Sequence, residues 1–144
     1  MSITDRFHNA SDIIKTIETN NAPAFNIKGS FIGRVINCYD GDTCHVVMNY
    51  MNTVCTFRIR LLGYDAEEIK QPKQAENRVV LKQIALEQKN KLIDLTVGKT
   101  VLVESIGFDA FGRLLSHIYI IIDGKIQEHS ISHQMIEAFP SISS

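Results

Sequence analysis

The stretch FIGRVINCYDGDTCHVVMNYMNTVCTFRIRLL, residues 31–62, decides the fold. Phe31 to Cys38 is rich in β-branched residues and reads as a strand, and Tyr39-Asp40-Gly41-Asp42 reads as a turn, because Asp-Gly tolerates the positive φ of a tight reversal. Thr43 to Met48 returns as a second strand, and Asn49 to Asn52 is a second turn. Thr53 to Leu62 is a third strand, in which Phe57, Ile59 and Leu61 alternate with Arg58 and Arg60. Three consecutive strands joined by short turns make a meander.

Working outward, residues 63–73 are polar and acidic, hold Pro72, and read as a loop. Residues 75–95 place Val79, Val80, Ala85, Leu92 and Leu95 among lysines and glutamates, which predicts an amphipathic helix stopped by Gly98. Thr100 to Ile106 is a fourth strand and Gly107 to Gly112 a turn-rich loop. Arg113 to Ile122 is a fifth strand, and Asp123-Gly124 a turn. Residues 126–139 are read as a closing helix, with a frayed tail beyond. At the other end, Ile3, Phe7, Ala10, Ile13, Ile14 and Ile17 recur three or four apart and predict a helical stripe over residues 3–19.

This order predicts an α+β, mainly β, chain built on a five-stranded Greek-key barrel of the oligonucleotide-binding type (OB-fold), with helices packed on it. The expected division is a helical extension over 1–29, the barrel domain over 30–140, and a tail over 141–144. The extension is expected to pack on the barrel of a monomer, or alternatively to form a dimer through residues 3–19.

Composition fits one such domain. The chain has 144 residues, of which 44% are hydrophobic and 22% charged, and its net charge is −1. Near-neutrality excludes a protein that coats nucleic acid by bulk charge, but not one that grips a few phosphates with local arginines. No apolar run is long enough for a membrane span. The first residues lack a basic and apolar leader pattern, so an intracellular setting without membrane association is expected. Cys38, Cys44 and Cys55 are too few for a disulfide scaffold and read as reduced thiols. His129 and His133 are four apart with no third ligand at a metalloprotease spacing, and read as an exposed helix face.

Three clusters could carry chemistry: Asp40-Gly41-Asp42-Thr43, the run from Arg60 to Glu68, and Phe111-Gly112-Arg113. Each alone is ordinary, since an Asp-Gly pair is usually a plain turn and an acidic loop is usually just solvated. Together they are more specific. Asp42 and Asp65 end different strands and, if brought together, supply hard oxygen ligands suited to Ca²⁺ or Mg²⁺. Glu68 would sit near them as a general base. Arg60 and Arg113 would add fixed donors for a phosphate. That set suits phosphodiester hydrolysis.

The segments Gly33–Thr43, Phe57–Glu68 and Asp109–Leu115 resemble those of staphylococcal-nuclease-like (thermonuclease) domains, over about Gly33 to Phe139. The resemblance implies an OB-fold barrel and a calcium-dependent nuclease that cuts DNA and RNA, single strands preferred, to 3′-phosphate products. It implies one Ca²⁺ held by Asp42, Asp65 and the backbone carbonyl of Ala66. Arg60, Glu68 and Arg113 are the implied catalytic residues and Phe111 a substrate contact, with Asp40 and Thr43 supporting the metal pocket. Glu67 stands where such domains carry Pro, and Ala110 where some carry Lys. The implied partners are DNA and RNA. The alternative is a binding module of the same fold with weak or no catalysis.

Overall fold

The computed structural model describes residues 22–67 and 77–140. The expected helix over 3–19, Glu68 with the rest of the loop to residue 76, and the tail from residue 141 lie outside the described residues.

Six strands and two helices follow in the order β1 (Gly29–Asp40), β2 (Thr43–Tyr50), β3 (Thr53–Leu61), α1 (Arg78–Thr96), β4 (Thr100–Phe108), β5 (Leu114–Ile122), β6 (Lys125–Ile126) and α2 (Ile131–Ala138). β1 pairs antiparallel with both β2 and β4, β2 with β3, and β4 with β5. A parallel pairing of β3 with β5, Ile59 opposite Leu114, closes the five strands into a barrel. The architecture is therefore α+β and mainly β, an OB-type barrel with two packed helices. Alternate residues from every strand fill it: Val35, Val46, Ile59, Val101, Val103, Leu114 and Ile118 are fully buried. Among the described residues no helix is long and apolar enough to cross a membrane.

The hairpin between β2 and β3 turns on Met51 and Asn52, both left-handed (φ 50° and 63°), the backbone twist that two-residue hairpins favour. β1 is less regular. Its register against β2 shifts between Val35 and Asn37 and again between Cys38 and Asp40, so two bulges lie in succession before the Asp40–Thr43 turn.

Two expectations need correcting. The closing helix begins at residue 131, not 126, because Asp123 and Gly124 both take positive φ and fold Lys125–Ile126 back on Ile121–Ile122 as a hairpin. Ser130 then caps the helix, its hydroxyl accepting from the His133 amide at 3.1 Å. The buried stripe of α1 is also different. Val79 and Val80 are exposed, and the face against the barrel is Ala85, Gln88, Leu92 and Thr96. Two of those four are polar, and both have partners there: Thr96 donates to the Leu92 carbonyl at 2.7 Å, and Gln88 reaches the loop after β3.

Candidate active site

The turn between β1 and β2 presents Asp42. Asp40 starts it, one carboxylate oxygen accepting from the Asp42 amide at 3.1 Å. Gly41 does not adopt positive φ, contrary to the expectation from Asp-Gly. It is required for another reason. A Cβ there would lie 2.8 Å from the Cβ atoms of both Ala66 and Gln88, so the turn presses directly on the loop after β3 and on α1. The Asp42 side chain is buried in that junction. Its Oδ1 accepts from the Thr43 hydroxyl at 3.1 Å and its Oδ2 from the Ala66 amide at 2.8 Å.

Arg60 lies opposite Thr43 on β3. Its guanidinium donates to the carbonyls of Leu61 (2.8 Å) and Tyr64 (2.6 Å), pairs with the Asp65 carboxylate, and lies 3.4 Å from Asp42 Oδ2. One arginine thus holds both aspartates and the intervening backbone. Asp65 projects outward, its side chain 92% exposed. The loop is held from beneath by Gln88, whose Nε2 donates to Tyr64 Oη and whose Oε1 accepts from the Glu67 amide, both at 2.8 Å. Ser132 of α2 donates to the Leu62 carbonyl at 2.7 Å and fixes the exit of β3.

Arg113 enters from the turn between β4 and β5. Asp109 builds that turn, accepting from the amides of Phe111 and Arg113 at 2.9 Å and from Arg113 Nε at 2.7 Å. The aimed guanidinium reaches Thr43 Oγ1 at 3.4 Å, so Thr43 links Arg113 to Asp42. Phe111 is exposed, with the Arg113 guanidinium 5.5 Å from its ring centre. Arg58 donates to the Phe111 carbonyl at 2.9 Å.

The structure therefore brings Asp40, Asp42, Thr43, Arg60, Asp65, Ala66, Phe111 and Arg113 to one end of the barrel. Gln88, Tyr64 and Asp109 also belong to this assembly and were not among the expected site residues. A glutamine on a charged helix looks like surface, and only its spacing of three from Ala85 and four from Leu92 hints at burial. The hint for Asp109 is its place four residues before Arg113, the reach of a side chain that closes a turn on itself.

Electrostatically the pocket disfavours the ionised form of Asp42. Burial, with the neighbouring Asp40 carboxyl, pushes the Asp42 carboxyl up to about 6, against the Ala66 amide and Arg60, which favour its ionised form. Burial and the Asp42 charge likewise push the Tyr64 phenol up to about 12. A divalent ion would relieve this crowding of negative charge, and the available donors are all hard oxygens. Among the described residues, however, no three acidic, histidine or cysteine side chains already converge on one point. Arg60 stands between Asp42 and Asp65 instead.

Cys38 and Cys44 face each other across β1 and β2 as free thiols, sulfurs 3.9 Å apart, with Thr96 Oγ1 3.6 Å from Cys38. His129 precedes α2 rather than lying on it, and stacks on His133 with ring centres 4.3 Å apart. No protein-family model matches the chain, and no curated protein sequence does.

Proposed function

We propose that the protein is a staphylococcal-nuclease-like, calcium-dependent phosphodiesterase that cleaves single-stranded DNA and RNA to 3′-phosphate products. The observation that carries this reading is the junction in which Thr43 connects Asp42 to Arg113 while Arg60 bridges Asp42 and Asp65. Two carboxylates and two guanidinium groups at one point suit a phosphodiester better than any neutral ligand.

Asp42, Asp65 and the Ala66 carbonyl are the residues that would hold Ca²⁺, which when bound would supply a positive centre for the phosphate. Arg113, held along Asp109 and over Phe111, donates to the phosphate and stabilises the charge that builds on its equatorial oxygens. Arg60 keeps the two aspartates in register and adds donors on the other side. Glu68, assigned on its sequence position alone, takes a proton from the attacking water as the new P–O bond forms. The bond to the 5′ oxygen breaks, that oxygen takes a proton from solvent and leaves as the 5′-hydroxyl of the downstream fragment, and the upstream fragment keeps the phosphate on its 3′ oxygen.

The test is direct. Pure protein is incubated with single-stranded DNA and Ca²⁺, with and without chelator, and the product ends are identified. Cleavage that the chelator stops, leaving 3′-phosphates, supports the reading. Arg113→Ala should lower turnover on the order of 10³-fold, the scale for an arginine that stabilises a phosphoryl transition state. Absence of chelator-sensitive cleavage across several divalent metals would sink the enzyme reading and leave a binding module.

A further inference from the structure

We propose that the outer face of β1–β2–β3 carries a second phosphate subsite, centred on Arg58 with His45 and Arg34, which holds a single-stranded nucleic acid as it leaves the candidate active site. The proposal rests on the nuclease reading and extends it to residues outside the catalytic cluster.

The first observation is charge segregation. Residues 22–64 contain four cations, Lys28, Arg34, Arg58 and Arg60, and only two acids, Asp40 and Asp42, both in the candidate site. The chain as a whole is net −1, so its acids lie elsewhere. Beyond the Asp40–Thr43 turn this sheet face has nothing to repel a polyanion.

The second observation is alignment. Across the sheet, Asp40, Thr43 and Arg60 form one row, Asn37, His45 and Arg58 the next, and Arg34, Val47 and Thr56 the third. Along β2 and β3 these rows are two residues apart, but along β1 they are three apart. The two bulges absorb the extra residues, so Arg34 and Asn37 both join the rows that end at the site. Successive rows are about 6.8 Å apart, a step comparable to that between phosphates of an extended strand.

The third observation is availability. Arg58 is exposed, and among the described residues the one hydrogen bond of its side chain is Nη2 to the Phe111 carbonyl. That bond anchors the guanidinium beside the turn carrying Arg113 and leaves its other N–H groups for a ligand. His45, directly opposite Arg58, is oriented by Asn37. Arg34 is exposed in the third row. A fork-shaped donor anchored by one edge beside a phosphate-binding turn is suited to the next phosphate along the strand.

The test is the salt dependence of binding of a fluorescently labelled oligodeoxythymidylate, measured by anisotropy with chelator present to prevent turnover. Each phosphate contact to a single strand contributes about 0.7 to the slope of log affinity against log salt. Arg58→Gln should weaken binding about tenfold and flatten the slope by about that amount. Arg58→Lys should restore the slope, and Arg34→Gln should flatten it in the same way without touching the Phe111 turn. Lys125→Gln removes an equal charge on β6 and should leave the slope unchanged. An unchanged slope in Arg58→Gln, or an equal flattening in Lys125→Gln, overturns the subsite while leaving the nuclease reading intact. If the wild-type protein fails to bind the oligonucleotide at any salt in chelator, the subsite falls, and the nuclease reading is decided separately by the Ca²⁺-dependent cleavage assay.

Discussion

Gln88 is hydrogen-bonded to Tyr64 across the junction of helix α1 and the loop after β3, its amide nitrogen 2.8 Å from the phenol oxygen. The other end of the same amide accepts from the Glu67 backbone. One buried helix residue therefore sets the height of the segment that carries Asp65 and Ala66. Gln88→Leu keeps the volume but strands a buried phenol and a backbone amide. It should cost about 1–3 kcal/mol. Thermal melts would show this loss, and cleavage assays below the melting transition should show a further fall in activity, because the Asp65–Glu67 backbone is released. Unchanged activity in a folded variant would mean that the loop holds its position without the latch.

A second prediction concerns Gly41. Its backbone is accessible to any residue, so only space forbids a side chain. Gly41→Ala would drive a methyl group to 2.8 Å from both Ala66 and Gln88. Overpacking of this kind typically costs about 1–3 kcal/mol. Ala66→Gly in the same chain removes one of the two clashes and should recover part of the loss, as a double-mutant cycle in urea would measure. Full additivity would show that Gly41 and Ala66 are not in the contact described.

These two residues also show what a sequence can disclose. The three-strand meander was legible because Phe57, Ile59 and Leu61 alternate cleanly with Arg58 and Arg60, and because turn residues break the runs. Asp42, Arg60 and Arg113 were legible as charges at strand ends. The function of Gly41 was not, since an Asp-Gly pair signals a positive φ and nothing local reports that Ala66 and Gln88 press against it. Gln88 was hidden by its polarity, and the alignment of Arg34, Asn37 and Asp40 by two bulges that break the period of two. The hairpin at Asp123-Gly124 was written in the sequence, but apolar residues further on suggested a helix starting too early.

The third prediction is a pH dependence. The folded state raises the Asp42 carboxyl from 3.8 to about 6. Between those values the folded protein holds a proton that the unfolded chain has released. Stability of the metal-free protein therefore falls as pH rises through this window. Above it the cost is on the order of 3 kcal/mol. Asp42→Asn removes the titrating group. In chelator near neutral pH it should melt higher than wild type, and the two should converge near about pH 4, where the wild-type carboxyl is protonated. Adding Ca²⁺ should raise the melting temperature of wild type and not of Asp42→Asn. Parallel stability curves for the two proteins across this range would refute a raised Asp42.

The last prediction separates construction of the Arg113 turn from its chemistry. Burial alone would raise the Asp109 carboxyl, but the amides of Arg113 and Phe111 and the Arg113 guanidinium outweigh it and hold the group below its usual value. A depressed carboxyl contributes stability that is present above the ordinary carboxylate range and is lost as pH falls through the folded value. Asp109→Asn keeps the shape and one set of acceptors, but gives up the charge that holds Arg113 Nε at 2.7 Å. It should lower the melting temperature at neutral pH, with the deficit shrinking in acid as the wild-type carboxylate is protonated. Arg113 would also lose its aim toward Thr43, so turnover should fall by at least tenfold even where the variant is fully folded. Arg113→Ala in the Asp109→Asn background should then cost less in turnover than in wild type, because the two residues act as one unit. If the two losses multiply instead, Asp109 only supports the fold and Arg113 finds its position unaided.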